Sequence, residues 1–173
     1  MRVDRKRKEL MMSVSSADEI PYMQRTRAYY RALGYDNDYV WAHFEDVPFT
    51  RPTKALADMR IALITTAGPL DLSNRNERGR KQVWSGAVVS PPASFDTDLA
   101  WDKDSTHTDD RETFLPIEAV GQLVTEGVVG SLAANFVGAP TDYSHEKTLG
   151  VDAPEILKRI LADGADAALL TAL

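Results

Sequence analysis

The sequence predicts an α/β protein: a Rossmann-like, open, mainly parallel sheet with an N-terminal helical arm. Three observations carry this prediction. Short uninterrupted apolar runs such as Arg60 to Thr66 (RIALITT) have the character of strands buried on both faces of a parallel sheet. Segments with helical spacing, opened by proline and closed by glycine, stand between these runs. From Arg60 onward the order is strand, loop, strand, helix, strand, helix, strand, which implies parallel strands joined by right-handed crossovers.

The elements follow in order. Residues 1 to about 15 read as a loose basic terminus with Arg2, Arg5, Lys6, Arg7 and Lys8. A helix is expected from Pro21 to Gly34, because Tyr22, Thr26, Tyr29, Tyr30 and Leu33 share one helical face. Aromatic residues at that spacing usually bury area, so the helix is expected to pack on the core or on a second subunit. Tyr35 to Pro52 reads as an irregular wrap that must cover Trp41, Phe44 and Phe49, with His43 packed or at the surface. Residues 1–52 thus form an arm, and residues 53–173 the α/β domain.

The first strand, Arg60 to Thr66, runs into a turn of small residues, Thr65 to Pro69. Asp71 to Gln82 reads as polar and mobile. Val83 to Val89 is the second strand, and Ser90 to Ala100 a loop. A helix starts at Pro116, buries Ile117, Val120, Leu123 and Val124, and stops at Gly127. Ser131 to Val137 is the third strand, closed by Gly138, and a loop from Ala139 to Tyr143 follows. Asp152 and Glu155 have capping-box spacing around Pro154, opening a helix that Gly164 ends. Ala167 to Leu170 is the last strand.

Composition narrows the function. Apolar residues make up 43% and charged residues 27%, as in a soluble globular chain. A net charge of −6 argues against general nucleic-acid binding. No apolar run approaches the roughly 20 residues of a membrane helix, and the basic start leads into no hydrophobic signal segment. A cytoplasmic location is the default expectation. With no cysteine, the 173 residues hold no disulfide, no thiolate-bound zinc and no thiol nucleophile. Neither a dinucleotide fingerprint nor a P-loop is present, so no cofactor is expected in this chain.

Ligands gather at the carboxyl ends of strands in open α/β sheets. Thr65 and Thr66 end the first strand there, and Gly138 and Thr141 follow the third. All four are candidate substrate contacts, although the threonines equally suit simple turn chemistry. The second candidate is the cluster His107, Asp109, Asp110 and Arg111. His107 can move a proton near neutral pH while Asp109 orients its ring. The histidine and aspartates can also ligate a divalent ion. In a third reading the cluster is a structural loop, with Asp109 and Asp110 on turn amides and Arg111 paired with Glu112 or Asp104. His145 sits in a charged stretch and reads as solvent-facing.

Several features together resemble one family. They are the turn after ALITTAG, the His–Asp cluster before a proline-started helix, the EGVVGSLA turn and the closing GADAALLTAL. From about Val47 to Leu173 the chain is similar to the selenoprotein B family of glycine, sarcosine, betaine and D-proline reductases. PYMQRTRAYYRALGY resembles the leader of short bacterial members. The resemblance implies a Rossmann-like domain, reductive cleavage of a carbon–heteroatom bond, and His107 in substrate contact; Asp110 beside it is a further candidate substrate contact. In the family a selenocysteine or cysteine follows the strand matching Ala167 to Thr171, and its selenolate or thiolate attacks carbon and displaces nitrogen.

This sequence contains neither residue, and serine or threonine does not replace a thiolate without an activating base. The expectation is a subunit or truncated form, inactive alone. Its nucleophile would come from a partner, such as a homologous subunit carrying Sec or Cys, or from beyond Leu173 if a selenocysteine codon was read as a stop. The aromatic arm and the cut-off sheet both predict a homo- or hetero-oligomer. A non-catalytic α/β binding subunit is the alternative, and a metal-dependent lyase or hydrolase using His107 and Asp109 a weaker one.

Overall fold

The computed structural model describes residues 21–38, 40, 42–48, 50–96, 108–142 and 144–173. The chain divides into two units, Met1–Val47 and Pro48–Leu173.

In the first unit, α1 spans Tyr22–Ala32 and ends where Gly34 takes φ +88°. Arg31 makes a two-pronged contact with Asp38, at 2.9 and 2.7 Å, which ties the helix to the segment after it. Tyr30 packs edge-on against both Tyr29 and Tyr35. No residue of α1 is buried, and Tyr22, Tyr29 and Tyr30 are more than half exposed. Phe44 and His43 are also exposed, whereas Trp41 and Phe49 lie outside the described residues.

The second unit is a mixed α/β fold with a mostly parallel sheet. Its strands are β1 (Arg60–Thr65), β3 (Trp84–Ala87), β5 (Ser131–Leu132), β6 (Asn135–Gly138) and β7 (Ala167–Thr171). β1 lies at the centre, buried from Ile61 to Thr65. β7 runs parallel along one side of it over its whole length. β5 and β6 run parallel along the other side, at its start and its end respectively. β3 forms the far edge and pairs antiparallel with β6.

Two corrections to the expected sheet follow. The second strand is antiparallel, because no crossover helix separates it from β1. The third strand, expected whole from Ser131 to Val137, is broken at Ala133 and Ala134. There the Asp163 carboxylate accepts from the Asn135 N–H at 2.9 Å and from Asn135 Nδ2, standing in for a strand partner.

A two-residue ribbon, β2 (Gly68–Pro69) against β4 (Phe95–Asp96), lies within stretches expected to be turn and loop. Helix α2 (Ile117–Thr125) buries Ile117 and Val120 against one core cluster, with Leu63, Phe95, Phe114, Leu115 and Phe136. Phe95 meets Phe114 edge-on at 5.4 Å, and Trp84 meets Phe136 at 5.3 Å.

After β6, a short α3 (His145–Lys147) passes through a π-helical turn (Thr148–Asp152) into α4 (Ala153–Ala162). The capping box expected at Asp152 and Glu155 is absent, because the helical run begins eight residues earlier. Its cap is Ser144, whose hydroxyl accepts from the Lys147 N–H at 3.2 Å. Asp152 instead meets Lys147 Nζ at 3.0 Å, and Glu155 pairs with Arg159 and Lys158.

Candidate functional site: the carboxyl edge of the sheet

β1, β6 and β7 run in one direction, so their carboxyl ends meet at one edge. Thr65, Gly138 and Thr171 are aligned there: Thr65 is the register partner of both Gly138 and Thr171. Hydrogen bonds stitch this edge. The Leu173 N–H donates to Thr66 Oγ1 at 2.8 Å, and the Ala139 N–H to Thr65 O at 2.8 Å. Thr171 Oγ1 donates to Phe114 O at 2.8 Å, which brings the segment after the polar cluster to the same edge.

The predicted site residues have distinct settings. Thr65 is fully buried, and its hydroxyl accepts from the Ala67 N–H at 3.2 Å, fixing the turn. Thr66 is partly exposed, with its oxygen on the Leu173 amide. Gly138 is buried because its missing side chain leaves room for the Trp84 indole, whose Nε1 donates to Ala67 O at 3.2 Å. Thr141 receives Lys81 Nζ on both its carbonyl and its hydroxyl oxygen, each at 3.2 Å. Thr65, Thr66 and Gly138 lie at the end of β1 and β6, and Thr141 in the loop that follows β6. His107 lies outside the described residues.

Asp109 and Asp110 are exposed. Asp110 Oδ1 accepts from the Glu112 N–H at 3.1 Å, and Thr113 Oγ1 donates to Asp110 O at 2.7 Å. This shapes a 3-10 turn, Arg111–Thr113. Arg111 Nη2 meets Glu112 at 3.2 Å and Glu118 at 2.8 Å.

The sequence offered Glu112 only as a partner of Arg111; its capping role was not anticipated. Its Oε2 accepts from the Glu118 and Ala119 N–H groups at 2.9 and 3.0 Å, satisfying two free donors at the start of α2. Burial works to raise the pKa of Glu112, but the Ala119 and Glu118 amides and the Arg111 guanidinium outweigh it. They hold the carboxyl below its ordinary value.

A second unanticipated group is Lys147, which bridges Asp142 at 2.7 Å and Asp152 at 3.0 Å. Burial disfavours its charge, yet the two carboxylates win and raise its pKa. This pins the loop after β6 to the π-helical turn. π turns are frequent at functional sites, and this one borders a groove of about 500 Å³ lined by residues including Gln82, Val83, Asp152 and Arg159. Neither the capping by Glu112 nor the bridging by Lys147 stands out in sequence, because each joins groups five or more positions apart. Among the described residues no group of three or more His, Asp or Glu could hold a metal ion, and no helix is long and apolar enough to cross a membrane.

Fold and edge define a mixed α/β protein with a mostly parallel sheet, the carboxyl ends of β1, β6 and β7 gathered at one edge. Neither a curated protein nor a solved structure matches the chain. A family model does: glycine/sarcosine/betaine reductase selenoprotein B, over residues 30–173. The chain belongs to that family.

Proposed function

We propose that this chain is part of a reductase that cleaves a carbon–heteroatom bond, with the attacking selenolate or thiolate supplied from outside these 173 residues. The observation that carries the reading is the convergence of Thr66, Thr171 and the Phe114 segment at one carboxyl edge, in a chain of this family. The finer fold assignment is a Rossmann-like domain. The incoming nucleophile attacks carbon and the carbon–nitrogen bond breaks. His107 protonates the leaving nitrogen and Asp109 orients the imidazole. Thr65 and Thr66 form the floor of the crevice, and Asp110, Gly138 and Thr141 its walls. The complex works in the cytoplasm, with the chain as one subunit of a homo- or hetero-oligomer.

A non-catalytic binding subunit is the second reading. It is favoured by the hydroxyls of Thr65 and Thr66 and the carboxylate of Asp110, all of which already hold intramolecular bonds. The test mixes the purified chain with a Sec- or Cys-bearing polypeptide of the same family and a dithiol reductant. Amine release from glycine, sarcosine or betaine is then measured. Turnover that needs both polypeptides and falls at least about tenfold with His107→Ala supports the reductase. Turnover by the second polypeptide alone, unchanged on adding this chain, rejects it in favour of the binding subunit.

A further inference from the structure

The stretch Arg75 to Lys81 (RNERGRK) places Arg75, Arg78, Arg80 and Lys81 against the single carboxylate of Glu77, in a chain of net charge −6. It read as mobile in sequence, but the structure shows a bonded reversal. The Asn76 N–H donates to Arg80 O at 2.9 Å, and the Gly79 N–H to Asn76 O at 2.8 Å. Asn76 Oδ1 accepts from the Arg78 and Arg80 N–H groups, both at 3.0 Å. Gly79 supplies the left-handed corner at φ +71°, and Arg75 bridges to Lys81 below it. The base is anchored twice. The Gln82 N–H donates to the carbonyl of buried Asn74 at 2.7 Å, and Lys81 Nζ holds Thr141 in the loop after β6. The hairpin is therefore tied to the loop that follows β6.

Two of its cations, Arg78 and Arg80, differ from several other basic groups of the chain. Arg31, Lys54, Arg111, Lys147 and Arg159 all have carboxylates of their own. The exposed Arg78 and Arg80 side chains have none among the described residues. With Arg75, Asn76 and Glu77 they line a concavity of about 540 Å³ that, among the described residues, has no apolar side chain in its lining. A small molecule would lack the hydrophobic enclosure such ligands usually require. Guanidinium forks held on a fixed backbone instead suit carboxylates displayed on a surface.

We infer that the Arg75–Lys81 hairpin is the docking element for an acidic protein surface, that of the polypeptide delivering the nucleophile to the crevice. The inference rests on the reading that the nucleophile lies outside this chain. Charge complementarity at such a rim speeds and orients encounter, and it weakens with salt.

The test measures anisotropy of a fluorescein-labelled oligoglutamate peptide titrated with the full chain at low and high salt. Binding that weakens with salt is expected. It should fall about tenfold for the doubly reversed Arg78→Glu/Arg80→Glu chain, recover only in part with Arg78→Lys/Arg80→Lys, which keeps the charge but not the fork, and stay within about twofold for the control Arg25→Glu. Circular dichroism confirms that each variant folds. The inference is overturned if the wild-type chain does not bind the peptide saturably, or if the reversed chain binds it equally well. It is also overturned if an oligothymidylate of equal charge or tripolyphosphate competes as strongly as unlabelled peptide, which would mark a general polyanion site. No turnover enters the readout, so failure of this test and failure of the reductase reading are separate results.

Discussion

Replacing Glu112 by alanine removes the acceptor that the first turn of α2 depends on. Pro116 precedes the helix and offers no side-chain cap, so the Glu118 and Ala119 N–H groups rely on Glu112 Oε2. Losing a cap costs about 0.5–2 kcal/mol. Here two donors, a charged acceptor and the Arg111 pair are lost together, which places the loss toward the upper end, about 1.5–2 kcal/mol. The Glu112 side chain is 27% exposed, so solvent screens part of this but not most of it. Glu112→Gln retains an acceptor oxygen but not the charge, and about 0.5–1 kcal/mol should be lost.

Urea unfolding reads both as a lower midpoint at unchanged slope, and hydrogen exchange should quicken at the Glu118 and Ala119 amides. The pH dependence follows from the sign of the shift. Glu112 titrates below its ordinary 4.5 in the folded chain. Its contribution is therefore complete above that pH and disappears as pH falls through the lower folded value. The gap between wild type and Glu112→Gln should hold from pH 7 down to about 5, begin to shrink near about 4.5 and close as pH passes below the folded value. A gap under about 0.3 kcal/mol, or one that persists in full at pH 3, would refute the capping account.

Three further outcomes are expected. Lys147→Met strands the buried Asp152 (4% exposed) without its cation and should cost about 3–5 kcal/mol; adding Asp152→Asn should restore part of the unfolding midpoint. Gly138→Ala puts a methyl into the Trp84 indole. It should cost about 1–3 kcal/mol and shift Trp84 emission to the red in a Trp41→Phe/Trp101→Phe background. Thr171→Val leaves the carbonyl of fully buried Phe114 without its donor, and a loss of about 1–3 kcal/mol should appear as a lower melting temperature.

Periodicity revealed the main elements. The continuous apolar run of β1 and the Ile117–Val120 part of the stripe expected on α2 were legible because burial leaves its mark on neighbouring residues, whereas Leu123 of that stripe is exposed; β7 was legible as an apolar run, but it is not buried. What escaped was decided by contacts distant in sequence. β3 is antiparallel, and only the absence of a helix between it and β1 hinted at this. The break between β5 and β6 is made by Asp163, twenty-eight positions from Asn135. The cap of the last helical run moved back to Ser144 because the π turn extends the helix across Asp152. At the site, the carboxyl edge followed from strand direction alone. The duties of Glu112, Lys147 and the arginine hairpin did not, since each depends on which backbone group faces a side chain after folding. Asp110 and Arg111 took the contacts expected of a structural loop, a turn amide and Glu112.

Among the described residues nothing pairs with the outer margin of β7. Its five residues, AALLT, carry no charge. Leu169 and Leu170 point to opposite faces, and each is over 40% exposed. Natural borders of this kind usually carry a lysine, a proline or a bulge that discourages stacking. Handling should therefore be concentration-sensitive: dilute samples stay clear, whereas crowded ones associate through this margin. A lysine at position 169 or 170 is the simplest remedy for whoever prepares the chain on its own.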